Sequence, residues 1–275
     1  MSRILMLLAM CAFPLLAAAA PPTGDGDSHF GLTDTSCSID TDYRMRLDAE
    51  GLELVLKEDG PQAGAGRPER IGISDGTLVL DGARQPVSDA DAARLRQIET
   101  GVRDSLPEVA AITRAAIGLT FDTLASVNVA LAGNKRHARE FDELRARSLA
   151  RVDEMVGRGE WSTDVFGEEF EAEIEAAAEA MAARFTPRRA IWMVMTGGIG
   201  RMERRMEAME AELEEKLPAY EASMERHAQA LCGKLQQVER LQDAMDLRLD
   251  DGRPLQVIRI RPPENDGGGE EAGAG

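Results

Sequence analysis

Hydrophobic and polar residues alternate along the chain between positions 37 and 87, which is the pattern of half-buried β-strands. The apolar positions of the first two runs are Ile39, Tyr43, Met45 and Leu47, followed by Leu52, Leu54 and Leu56. Asp-Gly pairs at 75–76 and 81–82 separate further short apolar runs, and such pairs are strong signals for β-hairpins. Residues 37–87 are therefore predicted to form a small antiparallel sheet.

Near residue 88 the apolar spacing changes to the repeat of an α-helix, and this spacing persists over residues 88–249. Ser88 and Asp91 resemble a capping box at the first helix. A kink or break is expected at 105–107, because Pro107 cannot donate a backbone hydrogen bond. The longest apolar stripe begins at Met202 and ends at Val238, so the last helix is predicted to be long.

The C-terminal segment 250–261 contains a final apolar run, LQVIRIR at 255–261, that predicts a strand. Because a lone strand is only marginally stable, we expect it to return to the N-terminal sheet. The predicted fold is α+β and predominantly α-helical. It has a small antiparallel β-sheet, made from the N-terminal region plus the C-terminal strand, and a long insertion resembling a helical bundle or coiled coil.

The two ends of the chain differ from this folded region. Residues 1–20 combine one early cation, an apolar core and a run of small residues, so they predict a secretory signal peptide cleaved near Ala20. An uncleaved membrane anchor is the alternative for this segment. Residues 21–36 are predicted to be a flexible leader, and residues 262–275 a disordered acidic tail. The protein is thus expected in a bacterial periplasm, without stable membrane insertion after cleavage.

Charge and cysteine content narrow the classes of function. The formal net charge of −17 disfavours binding to nucleic acid, and an aromatic content of 4% disfavours serial stacking of sugars or bases. Cys11 is lost with the signal peptide, which leaves Cys37 and Cys232. In an oxidising compartment two remaining cysteines indicate one disulfide, and two separate buried thiols are the alternative.

Segment 188–200 is apolar and carries arginines at its start. One interpretation is an interaction patch on the surface, and the other is the buried centre of the helical region. The residues of the candidate patch are Arg188, Arg189, Ile191, Trp192, Met193 and Met195. The segment is too short to cross a bilayer.

Other candidate chemistry is sparse. His29 lies in the leader, His227 lies on the apolar stripe, and His137 with Glu140 forms a two-residue pair where a metal site needs three converging ligands. Glu171, Glu175 and Glu179 share one face of an acidic helix, which predicts either a weak cation-binding surface or a solvated face. No cofactor or metal is expected, and no motif for a nucleophilic enzyme is present in the sequence.

Several segments resemble one known family, the exported proteobacterial proteins of unknown function called YggN-like. The resemblance rests on Cys37 at the first strand and on ISDGTLVLDG at 73–82, VRDSLPEVAAI at 102–112, FGEEFEAEIEAA at 166–177, ERRM at 203–206 and ALCGKL at 230–235. It covers most of the chain after the signal peptide. The resemblance implies a periplasmic location and a disulfide, and it implies no activity.

These features predict a non-catalytic interaction, scaffold or chaperone-like module of the cell envelope, with an envelope protein partner or unfolded clients. The alternative is a periplasmic hydrolase, or another envelope enzyme, with its site where the sheet meets the helices. A pocket at that junction with converging acid, base and nucleophile would favour the enzyme, whereas a solid apolar junction would disfavour it.

Overall fold

The computed structural model describes residues 37–57, 67–132, 141–162, 198–249 and 252–261, with the separate positions 136, 139, 172, 174–176 and 179. The predicted fold class is confirmed, because a small antiparallel sheet is combined with a mainly helical body and a long C-terminal helix. Within the described part of the chain, no helix has the length and apolarity to span a membrane.

Within the described residues six strands form the larger sheet, in the order β6-β5-β4-β3-β2-β7, and every neighbouring pair is antiparallel. The strands are β2 (Tyr43–Leu47), β3 (Leu52–Leu56), β4 (Arg70–Ser74), β5 (Thr77–Leu80), β6 (Ala83–Gln85) and β7 (Trp161–Ser162). The two-residue strand β7 was not predicted. It pairs with β2 through Leu47 and brings the end of a helical segment to the sheet edge.

Both expected hairpins are present, at the turns between β4 and β5 and between β5 and β6. In the first turn Asp75 and Gly76 have φ values of 46° and 76°, so both central residues adopt the left-handed conformation of a type I′ turn. Gly76 also packs closely, because a Cβ there would lie 2.6 Å from the carbonyl oxygen of Ala92. The Asp-Gly sequence therefore fixes the hairpin and its approach to the first helix.

The C-terminal strand differs from its prediction. Strand β8 covers Arg259–Arg261 alone, and it pairs with β1 (Ser38–Asp40) in a separate two-stranded sheet. The strand is shorter than predicted because a side chain binds the backbone of the residues before it. Oε1 of Gln242 accepts hydrogen bonds from the backbone amides of Val257 (2.7 Å) and Ile258 (3.1 Å), so a side chain occupies the place of a neighbouring strand.

Three long helices complete the described structure, α1 (Asp89–Ala132), α2 (Asp142–Gly157) and α3 (Gly198–Asp243). The Ser88 side chain accepts a hydrogen bond from the Asp91 amide at 3.0 Å, which is the contact that an N-cap makes. Helix α3 ends earlier than residue 249, where the predicted helical spacing ends.

The break expected at 105–107 is absent, since Pro107 lies inside α1, which is continuous over 44 residues. Pro107 lacks the amide that would donate to the Arg103 carbonyl four residues earlier, and two side chains bind other carbonyl groups of this region. Ser105 donates to the carbonyl of Gly101 at 2.8 Å, and the Lys234 ammonium donates to the carbonyl of Asp104 at 2.8 Å. A proline inside a helix is tolerated when tertiary packing holds the helix, and here Lys234 joins this turn of α1 to α3.

The sheet and α1 meet in an apolar layer. Its central side chains are at most 2% exposed, namely Ile71, Ile73, Leu78, Leu95 and Ile98. Full burial of each such side chain stabilises the fold by about 1.5–3 kcal/mol relative to exposure. The junction between sheet and helix is therefore filled by hydrocarbon.

Helix α3 has two different halves. Its C-terminal half packs closely and buries Ala228, Leu231, Leu235 and Val238, each 8% exposed or less. Between residues 200 and 227 every described side chain is at least partly exposed. The first half of α3 therefore continues the amphipathic stripe beyond the main core.

Candidate functional site

A cavity of about 670 Å³ lies between α1, α2 and the first half of α3. Its volume is within the range of small-molecule sites in proteins, about 300–1,000 Å³. We call it the interhelical cleft. Its described lining consists of Phe121, Asp122, Ala125, Ser126, Val129, Ala130, Arg139, Phe141, Asp142, Arg145, Arg205, Ala208, Met209, Glu212 and Lys216.

The floor of the interhelical cleft is apolar because of helical spacing. Phe121, Ala125 and Val129 are four residues apart in α1 and so lie on one face of the helix. Phe141 closes the floor from the start of α2, and Phe121 and Phe141 are 2% and 5% exposed. These side chains fix one wall with little freedom to rearrange.

A carboxylate on α1 joins all three helices at the cleft. Oδ1 of Asp122 accepts a hydrogen bond from Nη1 of Arg145 on α2 at 2.7 Å, and Oδ2 accepts one from the Tyr220 hydroxyl on α3 at 2.7 Å. Burial and this hydrogen bond to Asp122 raise the pKa of Tyr220, so the phenol stays protonated and remains a donor. Asp122 therefore positions the three walls relative to one another.

The other charged groups of the cleft include one ion pair and one buried donor without an acceptor among the described residues. Nζ of Lys216 lies 2.8 Å from Oε1 of Glu212 one turn away, and the hydrogen bond to Glu212 raises the pKa of Lys216. Nε of Arg205 is buried, and among the described residues no atom accepts a hydrogen bond from it. Such a group is uncommon in folded proteins, where more than 90% of buried polar atoms have a partner.

A row of methionines follows the first half of α3. Met209 lines the cleft, Met202 and Met206 are partly exposed on the same stripe, and Leu217 in the same half is 38% exposed. Methionine side chains are flexible and polarisable, so a partly exposed row of them can adapt to apolar partners of different shape.

A second polar cluster lies further along the contact between α1 and α3. Glu108 accepts from Nζ of Lys234 at 3.0 Å, and its other carboxylate oxygen lies 2.6 Å from Nδ1 of His227. The hydrogen bond from His227 and the contact with Lys234 hold the pKa of Glu108 below its usual value. His227 thus has a structural partner, and the described residues contain no group of three potential metal ligands.

Cys37 and Cys232 form a disulfide, with a Cα–Cα distance of 6.1 Å and a sequence separation of 195 residues. The bridge joins the residue before β1 to the packed half of α3. It lies in the half of α3 that carries the core contacts, and not in the half that lines the cleft. Its place in the fold is therefore structural.

The other sequence-based candidates divide between exposed and undescribed positions. Glu175 and Glu179 are exposed, as a solvated helix face requires. Positions outside the described residues are His29, His137, Glu140, Glu171 and the whole candidate patch of Arg188, Arg189, Ile191, Trp192, Met193 and Met195.

Sequence reasoning did not find the cleft. In the sequence Tyr220 lies within the apolar stripe between Met202 and Val238, and no local pattern indicates a role for Asp122, Arg145 or Arg205. The hydrogen bond between Tyr220 and Asp122 joins residues 98 positions apart, so no local pattern reports it. One signal was available, because Asp122 follows Phe121 within an otherwise uncharged stretch of α1.

Comparison with known proteins gives a family without an activity. No curated protein and no solved structure is significantly similar to this chain. The profile of one family, described as protein of unknown function DUF2884, matches residues 37–258, from the disulfide cysteine to the segment before β8. The chain therefore belongs to the DUF2884 family of proteins of unknown function.

Proposed function

We propose that this protein is a non-catalytic binding module of the cell envelope and that the interhelical cleft is its binding surface. The main support for this proposal is the composition of the cleft. An apolar floor, the partly exposed Met209 and a rim of charged groups meet in one cavity of about 670 Å³. This combination suits binding of an amphipathic partner.

The distribution of reactive groups supports binding over catalysis. Among the described lining residues Ser126 is the only hydroxyl group, and none is a histidine or cysteine. The charged groups Asp122, Arg145, Glu212 and Lys216 are engaged with one another or with Tyr220. The junction of sheet and helices, where an envelope hydrolase was the alternative, is filled by buried side chains such as Leu78 and Leu95.

We further propose that the protein is exported to the periplasm as a YggN-like member of its family. Residues 1–20 have the composition of a signal peptide, and a disulfide between Cys37 and Cys232 suits an oxidising compartment. The partner is then another envelope protein or an unfolded client, and the net charge of −17 disfavours nucleic acid. The patch at 188–195 is proposed as a second contact.

Site-specific photo-crosslinking in the native host tests the binding surface. A photoreactive amino acid replaces Met209 in the cleft lining, and in a matched control it replaces the exposed neighbour Glu210. We expect discrete crosslinked products from position 209 and none of these from position 210. Equal products at both positions, or none at 209, would remove the support for the cleft as a binding surface.

Location is tested separately. Fractionation of the host and N-terminal sequencing of the purified protein should give a periplasmic chain that begins close to residue 21. Full-length protein retained in the cytoplasm would contradict export without affecting the assignment of the cleft.

A further inference from the structure

We propose that the interhelical cleft binds a single-chain amphiphile with an anionic head group, and that Arg205 receives the head group. This inference rests on the proposed binding role of the cleft, and it adds a small-molecule ligand to the protein partner or client proposed above. The chemistry shared by the ligands is an alkyl chain ending in a carboxylate or a phosphate. A free fatty acid and a phosphate-headed lysolipid are two sources of that chemistry.

The head-group assignment comes from the guanidinium group of Arg205. Arg205 lines the cleft and is partly exposed, while its Nε is buried without an acceptor among the described residues. The nearby carboxylates do not neutralise this cation, because Asp122 binds Arg145 and Tyr220, and Glu212 binds Lys216. An anionic oxygen at a guanidinium nitrogen that is accessible from the cleft would form a charge-assisted hydrogen bond.

The local charge of the cleft also favours an anion. Its described lining contains four cations, Arg139, Arg145, Arg205 and Lys216, and three carboxylates, Asp122, Asp142 and Glu212. The net charge of −17 over the whole chain has the opposite sign. Distant charges are screened beyond about 8 Å at physiological ionic strength, so a single small anion in the cleft is governed mainly by the lining.

The alkyl-chain assignment comes from the floor. Phe121, Val129 and Phe141 form a hydrocarbon surface beside the arginine, and Met209 faces the same space from α3. An unbranched chain can follow such a surface without demanding hydrogen bonds from it. Burial of each methylene group contributes to binding, so affinity should increase with chain length until the floor is covered.

Isothermal titration of the full mature protein with three C12 probes tests the proposal. Dodecanoate and dodecyl phosphate carry the two anionic heads, and 1-dodecanol is the neutral control of equal length. We expect saturable binding of one or both anions at a stoichiometry of one, about tenfold or more tighter than the alcohol. A preference between the two anions identifies the head group and so distinguishes the two sources.

The substitution Arg205→Met removes the proposed donor and keeps a flexible apolar side chain. Arg204→Met is the matched control, because Arg204 is exposed on the adjacent position of α3 and does not line the cleft. We expect R205M to weaken binding of the anion about tenfold or more and R204M to change it less than about twofold. Thermal unfolding without ligand verifies that both variants are folded.

Three outcomes overturn the proposal. Equal affinity for the alcohol and both anions, equal effects of R205M and R204M, or no binding of any probe would each exclude Arg205 as the head-group site. The proposed function is judged independently, because crosslinking at Met209 reports a binding surface whatever its ligand. Crosslinks at 209 together with absent probe binding would exclude the amphiphile and retain the binding module.

Discussion

The hydroxyl of Tyr220 on α3 donates a hydrogen bond of 2.7 Å to Asp122 on α1, and the Tyr220 ring lies directly over Gly118. A Cβ atom at position 118 would be 2.9 Å from Cε1 of that ring and 3.1 Å from its oxygen. A glycine in the middle of a helix is therefore the condition for the close approach of α1 and α3 at the cleft.

We predict that Gly118→Ala destabilises the protein by about 1–3 kcal/mol, because the ring must move and the hydrogen bond to Asp122 is strained. Gly233→Ala is the control, since Gly233 is also helical but has no atom within 4 Å of its Cβ position. There we expect a gain of up to about 1 kcal/mol from helix propensity. Urea denaturation measures both values, and equal effects would contradict this account of Gly118.

The disulfide should make a large contribution to stability, because it closes a loop with a sequence separation of 195 residues. Reduction, or the double substitution Cys37→Ala with Cys232→Ala, is expected to lower the free energy of unfolding by about 2–5 kcal/mol. Urea denaturation with and without a reductant measures this loss. The double variant should be insensitive to the reductant, and a continued response would show that another group is reduced.

Gln242 should be the most sensitive polar residue of α3. Besides its two accepted hydrogen bonds, its Nε2 donates to the carbonyl of Ile258 at 3.1 Å, and the side chain is 2% exposed. Gln242→Ala leaves three backbone groups without partners, and we expect a loss of about 2–4 kcal/mol. Hydrogen exchange of the Val257 and Ile258 amides should accelerate. Gln236→Ala, at an exposed position of the same helix, should change neither measurement.

Acid should weaken the contact between α1 and α3 through Glu108. Its pKa is lower in the folded protein than the ordinary value of 4.5, because His227 and Lys234 stabilise the carboxylate. The resulting stability is fully present above pH 4.5 and is lost as the pH falls through the lower folded pKa. Glu108→Gln should therefore be less stable than the natural protein near pH 6, with a smaller difference at lower pH.

Denaturation midpoints between pH 3 and pH 6 measure this dependence. Asp91 provides an internal comparison, since its pKa is also lowered: burial opposes its ionisation, but hydrogen bonds from Arg94, the Asp246 amide and Ser88 prevail. Asp91 keeps its acid sensitivity in the Glu108→Gln variant, so part of the dependence of the midpoint on pH should remain. If this dependence were unchanged after substitution of Glu108, its assigned role would be contradicted.

Sequence periodicity predicted the elements whose cause is local. Alternation at Tyr43 to Leu47 and the Asp-Gly pairs predicted β2 and both hairpins, because side-chain direction and left-handed turns are set by neighbouring residues. The 3.6-residue repeat predicted most of α1 and α3 in the same way.

The wrong expectations involve contacts between distant residues. The break at Pro107 is prevented by tertiary packing and by Lys234, and the strand at 255–258 is replaced by bonds to Gln242. Neither partner can be read from the residues around the affected segment. The interhelical cleft was missed for the same reason, since Asp122, Arg145 and Tyr220 come from three different helices.

The pairing of β1 with β8 has a consequence for the order in which the chain folds. Ser38 lies opposite Arg261, so the first strand described pairs with the last strand described. Pairing of β1 with β8 closes a long loop, and the entropy lost in this closure is offset only when the whole region between the two strands has folded. The hairpins of the larger sheet, in contrast, can form from short segments. A chain that stops before residue 259 therefore leaves the edge of β1 without its β8 partner, while the hairpins of the larger sheet can still form.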